Sequence, residues 1–300
     1  MKIGVVLNIT ENSKTGAILS YPEVRQLART AETGGLDSIW LFDHLLFRFD
    51  GQETRGIWEC WTLLCALAEA TERVELGTLV LCSPFRNPAL LAKMAHTLDE
   101  VSQGRLILGI GAGWHKPEFD AFGYAFAKRV DRFEEALQIL NPLLKGETVD
   151  FAGTHYRAKE CVITPAGPRQ EGIPLLIGAR GPRMLRLVTR YAEQWNTAWL
   201  GQPQELAERL EWIHEACAKE GRDPATLDVT VGAQVIFPDL GETTKWTENP
   251  LNGSAAVLAN AFLAYERAGT AHLIIFPSPN SKAAMERLAK AVQQYRATTV

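Results

Sequence analysis

An α/β chain closed into an eight-unit (β/α)8 barrel, a TIM barrel with an extra hairpin after the fourth helix, is the expected architecture, and three observations carry it. Short β-branched runs alternate with amphipathic helical stretches along the whole chain. The alternation recurs eight times within 300 residues. No low-complexity linker divides it. Alternating β and α units require a parallel sheet with helical crossovers, and eight of them in this length fit a closed barrel better than an open sheet. The expected organisation is one domain over residues 1–300.

The first strand is the run IGVVL at residues 3–7. Ser20 and Pro22 open a helix whose apolar positions Val24, Leu27, Ala28 and Ala31 follow the i, i+3, i+4, i+7 spacing, and Gly34 and Gly35 end it. The second strand is Ser38–Phe42, followed by a polar stretch through Gly56 and a helix from about Trp58 to Ala70. The third is VELGTLVL at 74–81; Asn87 and Pro88 then read as N-cap and first residue of a helix that Gly104 closes. The fourth, Leu106–Ile110, precedes a helix at 128–145. The rhythm breaks at 147–172, where TVDFAGTHYRA reads as a short hairpin before a Pro- and Gly-rich loop. It resumes with strands at Pro174–Ile177, Trp195–Trp199, Val229–Phe237 and His272–Phe276, and helices at 181–192, 203–220, 253–268 and 281–296.

Composition narrows the function classes. The chain is 46% hydrophobic and 22% charged, as a globular protein is, and its net charge is −4. It shows no basic stripe for nucleic acid and no apolar run approaching the ~18 residues of a membrane helix. The N-terminus lacks the pattern of a signal peptide. The five cysteines, at 60, 65, 82, 161 and 217, are odd in number and contain no CxxC pair, which argues against a disulfide scaffold or structural zinc. The expectation is a cytoplasmic enzyme acting on a small molecule, with no nucleic-acid, membrane or metal partner.

In such barrels the active site lies at the C-terminal ends of the strands. Asp43-His44 follows the second strand and is the strongest catalytic candidate, since histidine exchanges protons near neutrality and the adjacent carboxylate can set its tautomer or contact a ligand. The plain alternative is a capping Asp beside a packed His. His96 and His214 stand within helices and read as structural, and His155 in the hairpin reads as a surface residue. His115 is well placed, but Lys116-Pro117 after it reads equally as a solvent-facing loop, and Pro117 discourages a helix that would join His115 to Glu118. No metal-ligand spacing and no GxSxG elbow survive inspection. Gly178-Ala-Arg-Gly-Pro-Arg is the best anion site: glycines admit close backbone approach, the helix N-terminus offers free N–H groups, and Arg180 and Arg183 add charge. The same pattern also suits an ordinary βα turn with two solvated arginines. Gly109-Ile-Gly-Ala-Gly lacks the acidic residue about twenty positions on that a dinucleotide fingerprint needs.

These segments resemble the luciferase-like monooxygenase superfamily, and within it the branch of deazaflavin-dependent oxidoreductases that use coenzyme F420. The matching stretches are DSIWLFDH (37–44), VELGTLVL with FRNPALLAKMAHTLDEVSQGRLILGIGAGWHKPEFDAFG (74–123), and PLLIGARGPRMLRLVTRYAEQWNT (174–197). The resemblance implies a (β/α)8 barrel with a flavin-like ring across its C-terminal mouth. It implies His44 as the acid/base and Asp43 as a contact to the ring or its hydroxyls. Cys82, Ala112 and Gly113 would line the cofactor, and Gly178, Ala179, Arg180, Gly181, Arg183 and Met184 would hold its phosphate side. It also implies a non-proline cis bond at Leu79–Val80, a bulge pressing on the ring from behind.

Two departures refine the expectation. Sugar-phosphate dehydrogenases of this branch place a catalytic Glu where this chain has Trp114, which argues against that substrate class. Bacterial luciferases, which use reduced FMN, carry an arginine where this chain has Ala112. The expected activity is hydride transfer between the deazaflavin and a small organic substrate. The alternatives are an FMN-dependent monooxygenase using molecular oxygen and a non-catalytic flavin-binding protein. A homodimer and a lid over residues 238–252 stay open.

Overall fold

The computed structural model describes residues 1–241 and 243–298. In chain order its strands and helices are β1 (Lys2–Val6), α1 (Tyr21–Thr33), β2 (Ser38–Leu41), α2 (Cys60–Ala70), β3 (Glu75–Thr78), β4 (Leu81–Cys82), α3 (Pro88–Val101), β5 (Leu106–Gly111), α4 (Lys116–Phe122), α5 (Arg129–Leu144), β6 (Val149–Ala152), β7 (Arg157–Cys161), β8 (Leu175–Gly178), α6 (Pro182–Tyr191), β9 (Gln194–Leu200), α7 (Leu206–Glu220), β10 (Asp228–Ile236), α8 (Ala255–Arg267), β11 (His272–Ser278) and α9 (Lys282–Thr298). The parallel order is β3-β2-β1-β11-β10-β9-β8-β5, and pairing of Leu76 with Leu106 and Gly77 with Ile107 joins β3 to β5 and closes the ring. The third barrel strand is broken in two: β3 stops at Thr78, the Leu79–Val80 peptide is cis as expected, and β4 resumes the pairing with β5 at Leu81. A second non-proline cis bond, Ala198–Trp199, lies in β9 and was not foreseen. The expected hairpin is the antiparallel pair β6–β7.

The period-2 alternation of the strands divides the interior into two cores. Ile3, Val5, Ile39, Leu41, Ile177 and Ile275 point outward and join the apolar faces of the helices in one continuous layer. Val6, Trp40, Phe42, Ile107, Leu176, Ile274 and Phe276 point inward and fill the barrel. Trp40 is the largest of these, and it fits because Gly77 faces it: a Cβ there would lie 2.2 Å from the indole. Towards the C-terminal end the inward positions of β5 and β8 are Gly111 and Gly178, and a Cβ on either would press on Val80. Small residues therefore leave the mouth open above a packed floor.

Helix starts follow the expected chemistry. The Asn87 side chain accepts from the N–H groups of Ala89 and Leu90, capping α3 with Pro88 in its first position. Glu59 caps α2 in the same way, so the helix begins at Cys60, two residues later than Trp58. The helix expected from 203 begins as α7 at Leu206, after a single 3-10 turn. One helix, α4, contradicts the reading of Pro117 as a breaker. Pro117 lies in the first turn, where its missing N–H would have had no intrahelical partner. His96 is structural as read, with Nε2 3.1 Å from the Leu143 carbonyl and Nδ1 accepting from Gly167 N–H, but His214 is exposed on α7. No described helix is long and apolar enough to cross a membrane.

The barrel floor carries a titratable group. His272 is buried, with Nε2 2.7 Å from Ser38 Oγ, which accepts from Trp40 Nε1 at 2.7 Å. Burial, then the charges of Lys2 and the N-terminal ammonium, push its pKa down to about 3. Because the folded value lies below the unfolded one of about 6.5, this stabilisation is complete above about pH 6.5. It is lost as pH falls towards 3, by at most about 1.4 kcal/mol per pH unit. Denaturant unfolding at pH 7, 6, 5 and 4 is expected to show a steeper acid loss in the parent than in His272→Gln. Identical slopes would show that His272 takes up its proton without cost.

Candidate active site

An open cleft of about 900 Å³ occupies the C-terminal mouth. Of the residues named from the sequence, Asp43, His44, Leu79, Val80, Cys82, Ala112, Gly113, Gly178, Ala179, Arg180 and Met184 line it. Gly181 and Arg183 do not. Gly181 borders a neighbouring groove, and Arg183 turns away to Asp131 and Glu134, at 2.6 and 2.7 Å. Two carboxylates of α5 thus outcompete the cleft for Arg183.

His44 follows β2 and is held by α4. Glu118, 1% exposed, sits with Oε1 3.0 Å and Oε2 3.2 Å from His44 Nδ1, and Oε2 also accepts the Leu45 N–H at 2.8 Å. A buried carboxylate on Nδ1 fixes the proton there and leaves Nε2 as the free ring nitrogen of a residue that lines the cleft. The ring is further packed by Phe47 and Trp114, at centroid distances of 4.5 and 5.6 Å. This corrects the reading of Asp43 as the group that sets His44. Asp43 receives Cys82 N–H at 2.8 Å and a bidentate contact from Arg86 at 2.6 and 3.0 Å, so its oxygens are already engaged. Arg86 reaches on to Glu59 at 2.9 Å, tying the cap of α2 to the end of β2.

Of the two readings of His115, the solvent-facing loop residue is not the one observed: it stands at the N-cap of α4. It is 4% exposed, and its Nε2 accepts the Arg48 N–H at 3.0 Å, which requires that nitrogen to be unprotonated. Burial lowers its pKa; Glu118 opposes the shift and His44 adds to it. Nε2 is committed, so that nitrogen of His115 is not free to exchange a proton. Burial, followed by Asp43 and Glu118, raises the Cys82 thiol far above its ordinary range, which removes it as a nucleophile. Gly113 has φ +76°, and a Cβ there would meet Cys82 Sγ at 2.5 Å, so this turn accepts only glycine.

The opposite wall is aromatic. Trp246 stacks on Phe276 at 3.9 Å and contacts Trp199 and Phe42 at 5.1 and 5.6 Å. Buried Gln234 pins the Trp246 segment, accepting from Trp246 N–H at 2.7 Å and donating to the Thr244 carbonyl at 2.6 Å. Part of the stretch 238–252 therefore forms a wall of the cleft; Glu242 within it lies outside the described residues.

The mouth suits a flat ring with an anionic tail. Val80, backed by Gly111 and Gly178, projects beneath it, and the first-turn N–H groups of α6 start beside Gly178-Ala179-Arg180. A family model described as luciferase-like monooxygenase matches residues 1–245. The chain belongs to the luciferase-like monooxygenase family. Within that family, the F420-dependent glucose-6-phosphate dehydrogenase of Microbacterium testaceum is 35% identical over 216 residues, covering 70% of this chain and 62% of that protein. The phthiodiolone/phenolphthiodiolone dimycocerosates ketoreductase of Mycobacterium tuberculosis is 32% identical over 221 residues, covering 68% and 58%. Both matches thus span less than two thirds of the relative's length. An F420-dependent secondary alcohol dehydrogenase, solved with an F420–acetone adduct, superimposes with a TM-score of 0.78 at 18% identity, over 98% of this chain and 99% of that one. That likeness confirms the fold.

Proposed function

We propose that this family member is an F420-dependent oxidoreductase that moves a hydride between the coenzyme and a small organic carbonyl or alcohol, with His44 exchanging the proton. The observation that carries the reading is the His44–Glu118 pair in the mouth of the barrel, facing a cleft walled by aromatic rings. When bound, the deazaflavin supplies or accepts the hydride, since carbon in place of N5 favours two-electron chemistry. Glu118 holds the Nδ1 proton of His44, so Nε2 takes the proton of an alcohol or, once protonated, gives one to a carbonyl oxygen. The negative charge of Glu118 stabilises the imidazolium formed in that exchange. Val80 would support the ring from below, and Arg180 with the start of α6 would hold the phosphate. The aromatic wall of Trp199, Trp246 and Phe276 excludes water from the reacting atoms.

The test is a fluorescence titration of the purified protein, separately with F420 and FMN, followed by turnover assays with reduced coenzyme and a panel of ketones. Micromolar binding of F420 with ketone-dependent coenzyme oxidation is the expected result. Binding of FMN alone would replace this reading with a flavin monooxygenase.

A further inference from the structure

Beside the cleft, between α6 and α7, lies a second cavity of about 550 Å³ that the proposed reaction does not use. Arg180 lines both spaces and is the residue they share. Pro182, Leu185 and Trp212 give the cavity apolar walls. Over Trp212, at 4.3 Å from the ring centroid, lies the guanidinium of Arg209, whose Nε is buried without a hydrogen-bond partner.

The charges around this cavity are unevenly satisfied. Arg186 pairs with Glu134, Arg190 with Glu220 and Lys219 with Glu215. Neither Arg180 nor Arg209 has an ion pair among the described residues. Both line this cavity, and burial, followed by the charge of Arg209, lowers the pKa of Arg180, so the two guanidiniums repel each other. Adjacent like charges with no counterion are an unfavourable arrangement that an anion placed between them relieves. A carboxylate or phosphate fits, because each guanidinium offers planar paired donors.

We propose that this second cavity binds the outer, anionic end of the coenzyme, with a glutamyl carboxylate held between Arg180 and Arg209. The inference rests on the F420 reading above. F420 carries a lactyl group and a chain of glutamates beyond its phosphate, whereas FMN ends at the phosphate. The phosphate position at the start of α6 and the cavity share Arg180, so a tail leaving the phosphate enters the cavity directly. The methylenes of a glutamyl residue match the apolar surfaces of Leu185 and Trp212, and its carboxylate meets the unpaired charges.

The experiment compares the affinity of the full chain for F420 bearing several glutamates with that for the form lacking them, by fluorescence titration, in the parent and in Arg209→Gln. The tailed form is expected to bind about tenfold more tightly to the parent, as one well-formed charge-assisted contact allows. In Arg209→Gln that preference is expected to fall to within about twofold, with affinity for the tail-less form unchanged. Raising the salt concentration should shrink the preference in the parent only. Equal affinities for both forms in the parent would overturn the tail site and leave the F420 reading standing. Equal weakening of both forms in Arg209→Gln would overturn the assignment of Arg209. Binding of neither form, with FMN bound instead, would overturn both readings together.

Discussion

Replacing His44 with alanine is expected to lower turnover by ~10²–10⁴-fold, the usual contribution of a positioned acid or base, with little change in coenzyme affinity. The reason is geometric: His44 lines the cleft with Nε2 free, whereas the neighbouring His115 does not line it and has its Nε2 occupied by the Arg48 N–H. Added imidazole should restore part of the activity of His44→Ala, since the space left by the ring adjoins the open cleft. Glu118 is a positioning residue, and its variants should fall in order. Glu118→Gln keeps an acceptor for His44 Nδ1 and Leu45 N–H and is expected to lose about tenfold in kcat. Glu118→Ala removes both contacts and should approach His44→Ala, while KM changes little in either. Steady-state kinetics with any accepted ketone decide the matter. Parent-like turnover in His44→Ala would remove it from the mechanism.

The barrel was legible because its signals are redundant. Each βα unit repeats an apolar run, a cap and an amphipathic face, so an error of two or three residues at the starts of α2 and α7 does not alter the topology. His44 was legible because it directly follows a strand, at the end of the barrel where catalytic groups gather. Its true partner was not. Glu118 lies 74 positions away and reaches His44 only because α4 forms with a proline in its first turn, the residue that argued against a helix there. First-turn proline is the signal that would have found it: His115-Lys116-Pro117-Glu118 reads as an N-terminal turn once Pro117 is placed at its second position. Sequence adjacency likewise misled at Asp43. Neighbours in an extended strand end point to opposite sides, so the carboxylate next to His44 in sequence faces Arg86 instead.

The arginines show a different limit. Arg180 and Arg183 are equivalent as letters in a glycine-rich turn, but Arg180 stands before the N-cap Gly181 of α6 while Arg183 lies in its first helical turn. Arg183 falls within reach of Asp131 and Glu134 on α5, and only Arg180 is left at the cleft. Charge count in the motif could not reveal which of them an acidic neighbour already claims. Nor could it reveal Arg209, which comes from the next helix and gains its meaning only from the groove it shares with Arg180.

Arg86→Ala should destabilise the fold by about 3–5 kcal/mol, the cost typical of leaving a buried partner charge uncompensated. Asp43 is 3% exposed, and its carboxylate is satisfied by the Arg86 guanidinium and the Cys82 N–H. Burial alone would weaken the charge of Arg86, yet Asp43 outweighs it and raises the arginine pKa. Removing Arg86 leaves Asp43 with one backbone donor, and the cap of α2 loses the contact that tied Glu59 to it. The penalty then belongs to the orphaned carboxylate more than to the lost attraction, and a double-mutant cycle separates the two. Asp43→Asn with Arg86→Ala removes both charges and keeps an acceptor for Cys82 N–H, so it should be more stable than Arg86→Ala alone, by about 1–3 kcal/mol. Urea unfolding of the four proteins at pH 7 measures each step. A loss below about 1 kcal/mol in Arg86→Ala would mean that water reaches Asp43 and that the ion pair behind the cleft is a surface interaction.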